Sequence, residues 1–200
     1  MSDSFNLPDR KNLRLAGYDY SATGLYFITI CTQNRDCLFG RIDNDQMILN
    51  DAGQMVEKWF HELENKYPDK KIHEFVVMPN HFHGIVENVD GTLNIQSDAH
   101  VGAPLRGRPI DHTTAKNKSS QYGPKNQIFG ATIGRSIDWF KTMSTNDYIW
   151  GVKNNGWQRF DGKLWQRNFH DHIIRTEQEY ELISEYILNN PARWEEDRFR

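Results

Sequence analysis

The sequence predicts an α+β fold, an antiparallel sheet with helices packed against it. Three observations carry that expectation. Leu25 to Thr32 is a run of aromatic and β-branched residues, the kind that packs well on a pleated surface. Residues 51–66 place Val56, Trp59, Phe60 and Leu63 at i, i+3, i+4 and i+7, one face of an α-helix. The order strand, strand, helix, strand, strand, helix, helix mixes hairpin-like pairs with single helices, and this layers helices over one sheet.

The elements follow in order. Residues 1–20 are polar and basic, with Arg10, Lys11 and Arg14, and then aromatic at Tyr18 and Tyr20. The strand of 25–32 comes next. A short strand at 46–49 follows the Asp43-Asn44-Asp45 turn. Asp51 is read as the cap of a helix running to about Lys66, with Pro68 beyond its end. Ile72 to Met78 contains Phe75-Val76-Val77, a short apolar run typical of a central strand. Pro79-Asn80 breaks it, and residues 81–87 alternate as another strand. Residues 90–129 lack periodicity and are rich in Gly, Ser, Asn, Pro, Lys and Arg. They read as a long polar and basic loop inserted in a single domain spanning 1–200. A helix fits 133–143, and 149–168 reads as irregular. Thr176 followed by Glu179 is a capping-box pattern opening a last helix. Its stripe is Tyr180, Ile183 and Ile187, and Pro191 stops it.

Composition narrows the function. A chain of 200 residues with 38% hydrophobic residues can bury one substantial core. Net charge is −3, which weighs against a general duplex-binding protein. The charge is uneven, however: residues 101–175 hold twelve Lys and Arg against five Asp. Cys31 and Cys37 are the only cysteines and form no CxxC pair. That excludes a disulfide scaffold and a cysteine-rich zinc site, and points to a reduced, cytoplasmic protein. No apolar run reaches membrane-spanning length, and the first residues lack the apolar core of a signal peptide.

Met78-Pro79-Asn80-His81-Phe82-His83-Gly84 raises the sharpest question. On a strand, residues i and i+2 point the same way. His81 and His83 then project together while Phe82 enters the core, and Gly84 leaves room for a close approach. Two adjacent imidazoles make half of a metal site. Its completion calls for a further His, Asp or Glu, with His61, His73, His170 and His172 all open. The last helix offers another donor. Tyr186 and Asn190 lie about 40° apart on one helical face, and an amide oxygen can bind Mg²⁺ or Mn²⁺. A residue before proline is biased away from helical angles, so Asn189 stands as the alternative.

Together these pieces resemble the HUH single-tyrosine transposases, in their REP-associated branch. The resemblance rests on Gly17-Tyr18-Asp19-Tyr20, the run from Tyr26 to Arg35, Val77 to Gly84, Leu164 to Arg175, and Glu185-Tyr186-Ile187-Leu188-Asn189-Asn190-Pro191. Two features depart from the pattern. Phe169-His170 stands where relatives often carry two aromatics, and the 90–129 loop is long.

The resemblance implies a ferredoxin-like core with the histidine pair on a central strand. It implies that His81 and His83 bind a divalent metal, Mg²⁺ or Mn²⁺, with Asn190 as third ligand, and that Tyr186 is the nucleophile. The implied reaction is cleavage and rejoining of single-stranded DNA through a 5′-phosphotyrosine, beside a REP-like hairpin. Arg135, Lys141, Trp165, Arg167 and Arg175 would then grip the strand through phosphate contacts and stacking, although Trp165, like Trp157, fits a core position better than a stacking one. His172 would orient a ligand or meet phosphate. A homodimer and a monomer both occur in such a family. The rival readings are a hairpin-binding protein without chemistry and a hydrolytic metallonuclease.

Overall fold

The computed structural model describes residues 17–89 and 126–200. The basic residues of the first sixteen positions, and positions 90–125 of the expected loop, lie outside the described residues. Four strands form one sheet in the order β4-β5-β1-β6: β1 (Gly24–Cys31), β4 (Lys70–Val77), β5 (His81–Asn88) and β6 (His170–Ile174). Every neighbouring pair is antiparallel. Helix α1 (Asp51–Lys66) links β1 to β4, and α2 (Ile133–Asn154) links β5 to β6. This β-α-β-β-α-β order is the ferredoxin-like arrangement. A separate ribbon, β2 (Gly40–Asp43) with β3 (Gln46–Leu49), sits between β1 and α1. Helix α3 (Glu177–Asn189) follows β6.

The period of two decides which side chains meet which helices. Tyr26, Ile28, Ile30, Phe82 and Val86 face α1 and α2 and are fully buried with Phe60, Leu63, Ile137 and Phe140. The opposite face carries Ile85, Ile174 and Phe27 toward α3, where Ile187 is the one fully buried helix residue. Phe82 sits among the rings of Phe60, Phe140 and Phe75, at centroid distances of 4.7, 5.4 and 6.1 Å. Gly84 lets those rings in: a Cβ there would stand 2.9 Å from Phe82 and 3.0 Å from Phe60. Phe82→Ala is expected to cost about 3–5 kcal/mol, measured by urea unfolding, through lost burial and the cavity left behind.

Several expected boundaries move. Asn50, not Asp51, caps α1: its side-chain oxygen accepts the Gly53 N–H at 2.9 Å. Asp51 is the first helical residue, where its charge favours the helix N-terminus. Helix α2 runs eleven residues beyond Met143, into the stretch expected to be irregular. The polar run 144–147 is accommodated because the Ser144 and Thr145 hydroxyls donate to the carbonyls of Phe140 and Lys141, at 2.8 and 2.6 Å. Strand β2 pairs across the Asn44-Asp45 turn, whose φ angles of 48° and 61° match the twist of a tight hairpin. Strand β6 is a further unanticipated element, a five-residue edge strand. Among the described residues no helix is long and apolar enough to cross a membrane.

Candidate metal and phenol site

The site lies on the α3 face of the sheet. A tight turn at Pro79-Asn80 joins β4 to β5, closed by Met78 N–H donating to His81 O at 2.8 Å. His81 and His83 then leave β5 on the same side, ring centroids 4.6 Å apart and both fully buried. Across the sheet they pair with Cys31 and Thr29 of β1.

Neighbours set the chemical state of each ring. The Asn80 amide nitrogen donates to the carbonyls of Phe199 and Arg35, at 2.8 and 3.2 Å. Its oxygen must therefore be the acceptor for His81 Nδ1 at 2.7 Å. That leaves Nε2 of neutral His81 with a free lone pair. Burial pushes the His81 pKa down to about 4, against the opposing charge of Asp197. Burial, with the neighbouring His81, holds His83 well below the ordinary histidine range. Thr29 Oγ1 holds His83 Nδ1 at 2.8 Å, which directs Nε2 outward. Both imidazoles are thus neutral donors at physiological pH, as metal ligation requires.

The other donors come from α3 and the segment after it. Tyr186 places its hydroxyl 3.3 Å from His83 Nε2. Its ring stands edge-on to His83 and Phe27, at centroid distances of 5.3 and 6.1 Å. Burial raises the phenol pKa, and Asp197 adds to the rise. Asn190 and Arg198 work the other way. Asn190 keeps helical angles (φ −59°, ψ −42°) despite preceding Pro191, and it is buried. Asn189 is exposed, its amide donating to Glu185 O, so the inward residue is Asn190.

A 3₁₀ turn, Pro191–Glu196, then brings Asp197 back over the histidines, with Oδ2 3.6 Å from His81 Nε2. Ligand atoms of His81, His83 and Asp197 all lie within 4.8 Å of one another. His81 Nε2 and Asn190 Oδ1 are buried with no hydrogen-bond partner among the described residues. Imidazole nitrogens beside a carboxylate, with unmatched lone pairs, are the donor chemistry of a divalent-cation site, so the residues present fit one. Phe199 and Trp194 flank His81, at centroid distances of 5.2 and 6.2 Å. A cavity of about 380 Å³ opens beside the cluster, lined by Tyr186, Asn190, Arg193, Asp197 and Arg198.

Asp197 is the residue that sequence reasoning missed. The four open histidines lie elsewhere. His61 packs on Phe75, and His73 bonds Glu87 at 2.9 Å. His172 bonds Glu179 at 2.6 Å, and His170 is exposed. Asp197→Ala is expected to weaken Mn²⁺ binding, read by titration calorimetry, at least as much as the roughly 10–100-fold that lost outer partners cost. Glu195→Ala, on an exposed position, should leave it unchanged.

The residues expected to grip DNA divide into two groups. Arg135, Arg167 and Arg175 are exposed. Trp165 is not a stacking platform: it is 3% exposed, against Phe39 and Phe140, with its indole N–H on Ser144 Oγ at 2.9 Å. Lys141 is a tie rather than a free cation, because its ammonium donates to the carbonyls of Gln166 and Arg167 at 2.8 and 2.9 Å. Both sit by α2, as Arg135 does, on the opposite side of the sheet from the histidines.

Comparison with solved structures finds a REP-associated tyrosine transposase bound to a REP hairpin. Its TM-score is 0.47 and its identity 18%, over 86% of this chain and 68% of that one. A second is a protein of Deinococcus radiodurans described as a candidate transposase, with a TM-score of 0.42 and 13% identity, over 88% of this chain and 95% of that one. No family model matches the sequence. An uncharacterized protein of Haemophilus influenzae is 40% identical over 189 residues, covering 94% of this chain and 92% of that protein. With identity of that extent along nearly the whole of both chains, the protein belongs to one family with this Haemophilus influenzae protein.

Proposed function

We propose that the protein is a metal-dependent DNA strand transferase that cuts and rejoins single-stranded DNA through Tyr186. The observation that carries this reading is the phenol oxygen 3.3 Å from His83 Nε2, beside the His81, His83 and Asp197 donors. The sequence resemblance to HUH single-tyrosine transposases supports it independently. His81, His83, Asp197 and Asn190 would hold the cation. When bound, a divalent cation there neutralises phosphate charge and helps orient the reacting groups.

The residues of the chain supply the rest. The Tyr186 hydroxyl gives up its proton as its oxygen attacks phosphorus, the bond from phosphorus to the 3′ oxygen breaks, and the departing oxygen takes up a proton and leaves as a 3′-hydroxyl. The product is a 5′-phosphotyrosine. One phosphoester replaces another, so the reverse attack by a new 3′-hydroxyl needs no ATP. An extended strand would enter through this cavity, and the exposed Arg135, Arg167 and Arg175 would add salt-dependent backbone contacts to DNA lying beyond it. A strand flanked by an imperfect hairpin is the substrate class that the resemblance suggests.

The test uses single-stranded oligonucleotides, each carrying an imperfect hairpin and labelled at either end, with Mn²⁺. A denaturation-resistant adduct that retains the 3′ label, with release of the 5′-labelled piece, is expected. Binding with no adduct under Mn²⁺ or Mg²⁺ would leave a hairpin-binding protein. Cleavage without an adduct would indicate a hydrolytic metallonuclease.

A further inference from the structure

Helix α3 is lightly held by apolar packing, since Ile187 is its one fully buried residue of thirteen. Polar contacts to the edge strand supply what packing does not. Tyr180 donates its hydroxyl to Glu74 Oε2 at 2.7 Å, and Ser184 reaches the same oxygen at 3.3 Å. His73 Nδ1 lies 3.4 Å from the Tyr180 hydroxyl, and His73 Nε2 contacts Glu87 at 2.9 Å. All of these groups lie outside the histidine cluster.

The backbone of β4 makes this latch. Ile72 pairs with Val86 and Phe75 with Gly84, so the register slips between them. Two residues, His73 and Glu74, stand opposite the single Ile85. Ile72 and Phe75 both pack on the α1 and α2 side, and the bulge lets two successive side chains face α3 together. Bulges of this kind re-aim side chains beside functional sites.

Helical geometry ties the latch to the phenol. At about 100° per residue, Tyr180 and Ser184 form one edge of the face that α3 turns to the sheet. Ile183 and Ile187 run down its middle, and Tyr186 and Asn190 form the other edge. The first edge lies over β4, and the second lies over β5 and β1, where Tyr186 meets His83 and Phe27. Rolling the helix about its axis therefore moves the two edges together. A roll of about 20° shifts an atom about 6 Å from the axis by about 2 Å.

We propose that the β4 bulge, through the contacts of Glu74 with Tyr180 and Ser184, sets the roll of α3 and so the reach of the Tyr186 hydroxyl toward the histidines. Glu74 and Tyr180 are positioning residues, and Glu74 touches no reacting atom. The inference rests on the strand-transfer reading for its kinetic consequence, and on helix placement alone for its structural one.

The test compares Tyr180→Phe, Glu74→Ala and Glu74→Gln with the wild-type chain. Without DNA, amide hydrogen exchange along α3 is expected to quicken about tenfold in Tyr180→Phe and Glu74→Ala, with β5 unchanged, as a local opening would. With DNA, single-turnover adduct formation should fall about 10–100-fold, the scale of an ångström-sized misplacement. DNA affinity and melting temperature should stay near wild type, whereas a merely structural defect would lower both. Glu74→Gln keeps an acceptor oxygen and should recover most of the rate. An unchanged adduct rate in Tyr180→Phe and Glu74→Ala overturns the proposal, whatever the exchange shows. If the wild-type chain forms no adduct, the strand-transfer reading fails by itself. Exchange then decides the latch: quickening upholds it, and unchanged α3 amides overturn it.

Discussion

Tyr186→Phe is expected to abolish covalent attachment to DNA, a loss of more than about 10⁴-fold in single-turnover rate. The substitution removes one oxygen and little else. The ring keeps its edge-on packing against His83 and Phe27. The lost contact to His83 Nε2 is long, at 3.3 Å, so stability should change by less than about 1 kcal/mol. The ligand donors stay in place, and so does Mn²⁺ affinity. DNA binding, which the proposal assigns to groups other than this hydroxyl, should hold as well. A variant that folds, binds metal and binds DNA yet forms no adduct places the chemistry on one atom. Urea unfolding, calorimetry and the labelled-oligonucleotide assay check the parts separately. Cleavage persisting in Tyr186→Phe would make water the nucleophile and sink the strand-transfer reading.

How much of this site could be read in advance differs from residue to residue. The inward pair on β5 was legible because a strand has period two and Pro79-Asn80 marks where the strand begins. Asn190 was legible because it sits one turn beyond Tyr186. Asp197 was not: it arrives on a 3₁₀ turn after Pro191, where no periodic pattern predicts direction. For a related reason, the sequence does not decide between core and stacking for Trp165, or show that Lys141 is tied down. Composition shows that a segment is aromatic and basic, but only packing shows that the indole is buried and the ammonium bound to carbonyls. The full length of α2 was hidden by the polar run 144–147, whose hydroxyls bond back to the helix itself. The β4 bulge is invisible in one strand's sequence, since it exists only in the register with β5.

His81→Ala is expected to eliminate the stabilisation that Mn²⁺ gives the folded chain, and to change its acid sensitivity in a direction fixed by the pKa. At a free Mn²⁺ concentration near 100 times Kd, binding stabilises the wild-type chain by about 2.7 kcal/mol. Removing one of the two adjacent imidazoles should erase the corresponding rise in melting temperature. The metal-free chain behaves differently. Folded His81 titrates near 4 because burial disfavours its charged form, whereas an unfolded histidine titrates near 6.5. Between those values the unfolded chain binds a proton that the folded chain does not, so stability falls as pH falls through that window. The full window is worth about 3 kcal/mol for this one group, at about 1.4 kcal/mol per unit. His83, also held low, adds in the same direction. His81→Ala should therefore show a shallower loss between pH 6.5 and 4 than the wild-type chain. A constant cost from the missing ring moves the whole curve but not its slope. The same depressed pKa keeps protons from competing with the cation, so the Mn²⁺-induced rise in wild-type melting temperature should persist to about pH 5. A rise already lost at pH 6.5, as for an exposed histidine pair, would mean that the cation binds somewhere other than His81 and His83.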